Sequence, residues 1–324
     1  SNILGVLLFN IMAFVIIYFF SSSYKTAAIS VGVALLVWLF VHVNTMAGGF
    51  DLTQLVQHLR DHSLDGYTLI FWGVIVVGSA IFFLIKQMAT GNTVQVHRYI
   101  AMVILFLANA CFWALFEQAG SSLNFFAREF STPMIGSMET WQAGGFGIFQ
   151  SLNPLYILLF APVFAMAWPK LEKMGMNPSI PRKFALGLIQ VALGFYVLVF
   201  AISNMQNAAG LVPWIFLALC YLLHTTGELC LSPIGLSMVT KLAGDHEVGL
   251  AMGGWFLSIA MAQYMAGLIA ALASGGSAGA HGVQVAADIG QYQGVYMQLF
   301  WIGLIFGIVY LVLAPLIKKL MHGV

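Results

Sequence analysis

Two glutamates inside apolar stretches are the residues of this chain best placed to do chemistry. Glu228 follows His224-Thr225-Thr226-Gly227, and Glu117 follows Phe112-Trp113-Ala114-Leu115-Phe116. An ionisable group at membrane depth is costly, so by default it marks the path of a substrate or a proton. Burial favours the neutral form of a carboxyl group. Such a group can exchange its proton for a substrate ammonium, as a proton-coupled carrier requires.

Each glutamate is predicted to share a helix face with other polar or aromatic side chains. In a helix, residues spaced by three, four, seven, eight and eleven positions lie along one side. One such stripe contains Trp113, Glu117, Gly120, Ser121 and Asn124, and the other contains Tyr221, Thr225, Glu228 and Ser232. A polar stripe on an apolar helix is expected to face a bundle interior or a water-filled cavity.

Several of these residues also have a structural interpretation. Both glutamates could simply accept a hydrogen bond from a neighbouring helix. Asn153, before Pro154, could cap a helix or contribute to a site. Trp255 could line a pocket or lie in the aromatic belt at the membrane interface. Pro233, one turn after Glu228, predicts either a simple kink or a break that exposes carbonyl groups.

The composition indicates an integral membrane protein. Of 324 residues, 61% are hydrophobic and 7% are charged, compared with about 25% charged in ordinary globular domains. The net charge of +1 offers no basic stripe for nucleic acid. No Cys/His spacing resembles a zinc site, and no His-Glu-x-x-His motif occurs. We therefore expect neither an enzyme nor a metal site.

The apolar runs predict an all-α, polytopic membrane protein. A helix needs about 20 apolar residues to cross the hydrocarbon core. Nine runs meet this description, namely 3–20, 27–46, 66–86, 99–127, 148–168, 184–203, 212–239, 249–273 and 293–317. Segment 47–65 between two of them could form a short interfacial helix.

Basic residues predict the orientation of these spans. If the spans alternate, Arg60 and Arg128 lie on one side and the other ten of the 12 Lys and Arg residues lie on the opposite side. Cytoplasmic loops are enriched in Lys and Arg, so we expect a cytoplasmic C-terminus and an outside N-terminus. The chain starts Ser1-Asn2 without an initiator Met or a signal-peptide pattern. We therefore expect further spans ahead of it.

Four segments, in order along the chain, carry a family resemblance. They are FWALFEQAGSSL at 112–123, LNP at 152–154, GELCLSPIGLSMV at 227–239 and GWFL at 254–257. They resemble the C-terminal half of the bacterial proton-dependent oligopeptide transporters (POT/PTR family) of the major facilitator superfamily. The resemblance extends over roughly 66–324.

The resemblance implies a division of the chain. Residues 1–26 would be the last helix of a missing N-terminal bundle and a cytoplasmic linker. Residues 27–98 would form an inserted transmembrane hairpin with an outside loop, and 99–324 the C-terminal six-helix transporter bundle.

The resemblance also implies roles for individual residues. Glu228 corresponds to the carboxylate that receives the amino terminus of a peptide, with Asn153 as a hydrogen-bonding neighbour. Trp113 and Trp255 would line side-chain pockets, and Ser232 is a weaker pocket candidate. Glu117 resembles the carboxylate that pairs with a first-helix arginine and takes part in proton coupling and gating.

The function implied is proton-coupled symport of di- and tripeptides across a bacterial inner membrane by alternating access. The proton gradient would supply the energy without a cofactor. Alternatives are a carrier of the same fold for another small solute such as nitrate, or a proton or ion channel. The family's Glu-x-x-Glu-Arg motif and the cationic residues that hold the peptide carboxylate are absent from this chain. The resemblance thus implies half a binding site, completed by a missing N-terminal bundle.

Overall fold

The computed structural model describes residues 85, 87–244, 246–273 and 288–324. In the described residues from 93 onward the chain forms eight α-helices, and the described part contains no β-strand beyond one isolated bridge. The helices are α1 (Thr93–Phe116), α2 (Ser122–Phe130), α3 (Met138–Gln142), α4 (Leu152–Lys173), α5 (Ile180–Asn204), α6 (Trp214–Leu242), α7 (Val248–Ala273) and α8 (Ile289–Leu320). Two 3₁₀ turns, Glu117–Gly120 and Gly145–Ser151, precede α2 and α4.

Six helical segments within the described residues are long and apolar enough to cross a membrane. They are Thr93–Phe130, Gly145–Lys173, Ile180–Asn204, Trp214–Leu242, Val248–Gly267 and Ile289–Leu320. The all-α, polytopic prediction and its last six spans are therefore confirmed. The predicted spans 3–20 and 27–46, the segment 47–65 and nearly all of 66–86 lie outside the described residues.

Helix α5 lies at the centre of the bundle, where it packs against α6, α8 and α1. Backbones approach closely where α5 and α6 cross. A Cβ atom on Gly187 would lie 2.9 Å from the carbonyl oxygen of Gly227. Any larger residue at this crossing would push the two helices apart. Helix α7 packs mainly against α1 on the other side of the bundle.

The contacts between helix ends are those expected if successive spans cross the bundle in opposite directions. At one end of the bundle, His97 Nδ1 near the start of α1 lies 2.9 Å from His322 Nε2 after α8. At the other end, the amide of Val212 before α6 donates to the carbonyl of Phe130 at the end of α2 over 2.7 Å. The starts of α1 and α6 therefore lie at opposite ends of the bundle.

Helix α4 is the long helix with the least cover. It packs against α6 and the Gly145–Ser151 turn, and Leu152 is its one buried residue. Large apolar side chains along it are exposed, including Leu158 at 73% and Met166 at 68%. This apolar face is available to lipid or to another apolar surface.

The structure excludes one of two alternatives for Pro233 and overturns one prediction about helix continuity. Helix α6 runs without interruption through Pro233, so Pro233 does not break it. The span that contains Glu117 is instead interrupted, because α1 gives way to the Glu117–Gly120 turn before α2 begins. Ser121 between them has φ −128° and ψ −99°, which is neither helical nor extended. The stripe predicted on one continuous helix is therefore carried by two helices and a turn.

Trp255 of α7 packs directly on a glycine of α6. Its side chain is 1% exposed, and its ring meets Phe106 and Phe184 edge-on. A Cβ atom on Gly235 would lie 2.1 Å from Cη2 of that ring. Glycine at 235 therefore allows α6 and α7 to close on the indole.

We expect Gly235→Ala to lower the thermal stability of the purified protein, because the rigid ring has to move to make room. Overpacking of this kind typically costs about 1–3 kcal/mol. Fluorescence-monitored unfolding in detergent measures the effect. Gly253→Ala is the matched control, since a Cβ atom there has no neighbour within 4 Å. Equal stability of the two variants would contradict the prediction.

Candidate functional site

The centre of the candidate site is a hydrogen bond between α4 and α6. Asn153 Nδ2 donates to Glu228 Oε2 over 2.9 Å and lies 3.2 Å from Thr225 Oγ1. All of these contacts are partly buried. The hydroxyl of Thr225 donates in turn to the carbonyl of Tyr221, one turn earlier on α6. A carboxylate has about four acceptor positions, so Glu228 can accept from Asn153 and still bind a cationic ligand.

Asn153 is placed by the start of α4. The capping position is occupied by Ser151, which makes no side-chain capping bond, and the helix begins at Leu152. Helix capping by Asn153 is therefore excluded as the explanation for this residue. Its amide instead crosses to α6 and orients the Glu228 carboxylate. Glu228 thus accepts a hydrogen bond from a neighbouring helix, as its structural interpretation predicted. The donor of that bond, Asn153, is also a residue of the predicted site.

Glu117 is the first residue of the turn that interrupts α1 and α2. It is partly buried, and its Oε1 accepts from Gln263 Nε2 of α7 over 3.4 Å. Glu117 stands two residues before Ala119, whose carbonyl accepts from the hydroxyl of Tyr221 on α6, the helix that carries Glu228. Two carboxylates near one another favour a state in which a proton or a cation neutralises one of them. The structure therefore brings both predicted acidic residues to one region of the protein.

The two predicted pocket tryptophans have different surroundings. Trp113 is partly buried, packs edge-on against Phe112 and Phe116, and has a buried indole N–H without an acceptor within the described part of the chain. Trp255 is enclosed between helices, with Phe106 and Phe184 against its ring. Ser232 is partly buried one turn after Glu228 on α6. The substrate contacts predicted for these three residues stay predictions.

Sequence reasoning missed Gln150. It lies in the Gly145–Ser151 turn, and its Nε2 is 2.6 Å from the carbonyl oxygen of Ala119 and 3.4 Å from the hydroxyl of Tyr221. The one signal in the sequence was a polar side chain three residues before Asn153. Spacing alone does not predict its partners, because they belong to two other segments.

The described residues contain no group of three or more His, Cys, Asp or Glu side chains that could hold a metal ion. His224, the histidine nearest to Glu228 in sequence, is fully buried. Its Nε2 lies 3.1 Å from the carbonyl oxygen of Val191, so that nitrogen carries the proton and donates. His224 therefore ties α6 to α5.

A family model described as the POT family matches residues 5–285. The chain belongs to the POT family. The resemblance inferred from the four sequence segments is thereby confirmed. The matched residues include the predicted site residues Glu117, Asn153, Glu228, Trp113 and Trp255.

Curated relatives of this POT-family chain are named transporters. It is 40% identical over 176 residues to the peptide transporter YePEPT of Yersinia enterocolitica, covering 53% of this chain and 33% of that protein. It is 37% identical over 227 residues to the uncharacterized transporter YclF of Bacillus subtilis, covering 70% and 42%. It is 29% identical over 283 residues to the dipeptide and tripeptide permease A of Chromobacterium violaceum, covering 87% and 54%.

Solved structures of POT-family transporters share the fold. A peptide transporter POT in complex with sulfate matches at 30% identity and a TM-score of 0.62, over 92% of this chain and 54% of that one. A POT-family transporter in complex with 5-aminolevulinic acid matches at 25% identity and a TM-score of 0.64, over 91% and 55%. This chain spans about half the length, or less, of the relatives described here.

Proposed function

We propose that this chain supplies the carboxylate half of a peptide site to a transporter that carries di- and tripeptides together with protons. The observation that carries the proposal is the 2.9 Å hydrogen bond from Asn153 to Glu228 between α4 and α6. It holds a carboxylate at a fixed orientation in a partly buried site within a membrane-spanning bundle. Such a carboxylate is suited to the ammonium group of a peptide.

The neighbouring glutamate suggests how protons and substrate are linked. Gln150 and Tyr221 both donate to the carbonyl of Ala119, two residues after Glu117, and so tie that turn to the segments that carry Asn153 and Glu228. Two carboxylates in one such region affect each other's charge. An ammonium group that binds Glu228 neutralises one charge, and a proton on Glu117 neutralises the second. When substrate and proton are bound together, neither carboxylate keeps an uncompensated charge. This state is favoured because a charge within the membrane is costly. The proton gradient supplies the energy, and no cofactor is involved.

The names of the relatives support the choice of substrate. They include a peptide transporter and a dipeptide and tripeptide permease. The 5-aminolevulinic acid bound by one structural neighbour also carries an amine and a carboxylate, so it suits the same acidic residue. We assign nitrate and other solutes without an amine to the weaker alternative, because they offer Glu228 no positive charge.

A second helical bundle is part of the proposal. Alternating access in this superfamily requires two bundles that move about a central site. The exposed apolar face of α4, next to Asn153, suits a contact with the other bundle. The basic residues near the Lys173, Leu242 and Leu320 ends of α4, α6 and α8 favour a bacterial cytoplasmic membrane with a cytoplasmic C-terminus.

Transport by the purified complete transporter in liposomes tests this function. We expect an inward proton gradient to drive accumulation of labelled dialanine, and we expect unlabelled di- and tripeptides to compete. Competition by nitrate but not by peptides would contradict the peptide assignment. Saturable exchange of labelled for unlabelled dialanine without a gradient is expected of a carrier. Non-saturable flux would instead indicate a channel.

A further inference from the structure

The interruption between α1 and α2 leaves backbone carbonyl groups without the partners that a continuous helix provides. Buried carbonyl groups need other donors in that case. In this segment, side chains supply the donors. Ser121 Oγ donates to the carbonyl of Glu117 over 3.3 Å, and Tyr296 of α8 donates to that of Ser122 over 3.1 Å. The interruption is therefore stabilised by side chains both within it and from other helices.

The carbonyl of Ala119, in the middle of the interruption, accepts two such hydrogen bonds. Gln150 Nε2 donates to it over 2.6 Å, and the hydroxyl of Tyr221 donates over 3.1 Å. The same Gln150 nitrogen lies 3.3 Å from Asn124 Oδ1 on α2. The Gln150 amide thus connects the turn before α4 with the middle of the interruption and with α2.

Both donors are close in sequence to the residues of the candidate site. Gln150 precedes Asn153 by three residues, and the turn that carries it leads directly into α4. Tyr221 precedes Glu228 by seven residues on the unbroken helix α6, and its carbonyl accepts from Thr225. Short segments therefore connect the two donors of the Ala119 carbonyl to Asn153 and Glu228. Ala119 itself follows Glu117 by two residues.

We propose that Gln150 is a positioning residue, whose amide fixes the interrupted segment at Ala119 relative to α4 and so sets the placement of Glu117 opposite the Asn153–Glu228 pair. This inference rests on the proposed function. Gln150 need not contact the peptide, because it acts through the backbone of residue 119. Its side chain is exposed, so its replacement is expected to leave the folded bundle intact.

Dialanine uptake by the complete transporter tests the proposal with Gln150→Met, which keeps the length of the side chain and removes both N–H donors. We expect KM to rise about tenfold, the size typical of one lost hydrogen bond, with less change in the maximal rate. Gln150→His retains an N–H donor and is expected to recover part of the affinity. Gln142→Met, at an exposed glutamine of α3, is the matched control and should match the parent protein.

A double-mutant cycle separates positioning from a general loss of stability. Tyr221→Phe removes the other donor to Ala119, and two donors to one carbonyl should give non-additive effects on KM. Unchanged KM in Gln150→Met, or strictly additive effects in the cycle, would overturn the inference. Absence of dialanine uptake by the parent transporter would overturn the proposed function instead, so the two failures are distinguishable.

Discussion

Glu228→Gln is expected to abolish proton-driven uptake of a labelled dipeptide by the complete transporter. Glutamine keeps the shape of the side chain and still accepts from Asn153, whose Nδ2 lies 2.9 Å from Glu228 Oε2. It carries no charge for a peptide ammonium, and hydrogen bonds to charged groups are the strong ones. Losing that interaction is expected to raise KM by about 10-fold to 100-fold, so that little or no uptake is left at dipeptide concentrations near the parental KM. The bound proton can no longer exchange at this position either.

Uptake and exchange in liposomes, measured at equal amounts of reconstituted protein, check this expectation. Both should be lost in Glu228→Gln, because the variant is impaired in binding itself. Glu139→Gln is the control, since Glu139 is an exposed acidic residue of the short helix α3. Dipeptide uptake by Glu228→Gln at the parental rate would refute the assignment of Glu228 to the peptide amino terminus.

Glu117→Gln is expected to give a different defect, in which accumulation against a gradient is lost and exchange is retained. Glu117 lies on the turn that interrupts α1 and α2 and contacts Gln263 rather than Asn153. A glutamine cannot take up and release a proton, so the energy of the gradient no longer reaches the substrate. The Asn153–Glu228 hydrogen bond is unaffected, and dipeptide should still bind and exchange.

The measurement compares steady-state accumulation with counterflow in the same preparation. Driven accumulation of dialanine should fall to the level of simple equilibration. Counterflow should stay within about threefold of the parent, because a substitution that leaves the substrate contact intact changes the binding free energy little. Glu172→Gln at the exposed end of α4 is the control. If Glu117→Gln still concentrates dialanine, Glu117 has no part in proton coupling.

The spans of this bundle were predictable because lipid imposes a simple rule on sequence. Apolar runs of sufficient length gave all six described spans, and the observed helices extend beyond the predicted runs at most ends. Polar and cap residues at the ends, such as Asn92 before α1 and Asp288 before α8, lengthen a helix beyond its apolar run. Hydropathy does not detect these additional turns.

The candidate site was predictable in its residue types and less so in its contacts. An acidic residue in an apolar run identified Glu228, but its hydrogen bond with Asn153 depends on how α4 packs on α6. Periodicity contains no information about which helices are neighbours. The family motifs brought the two residues into one site before any geometry was known, and the 2.9 Å contact agrees with that grouping.

The interruption at Glu117–Gly120 was not predictable from local sequence. Its residues contain no proline, and although Gly120 and Ser121 weaken a helix, such residues are also tolerated inside continuous helices. What stabilises the interruption is a set of donors from elsewhere, including Gln150, Tyr221 and Tyr296. The enclosure of Trp255 was equally hidden, because it depends on Gly235 of another helix. Both features are consequences of tertiary packing.

Few residues pack against α4, and this affects the affinity of the site for a ligand. Asn153 belongs to a helix that packs on α6 and one short turn, while Glu228 belongs to a well-packed helix. Elements with few buried contacts open locally at low free-energy cost. Ordering such an element upon binding subtracts from the affinity of a ligand. Whatever covers the outer face of α4 therefore preorganises the amide beside the carboxylate, and it can strengthen binding without touching the ligand.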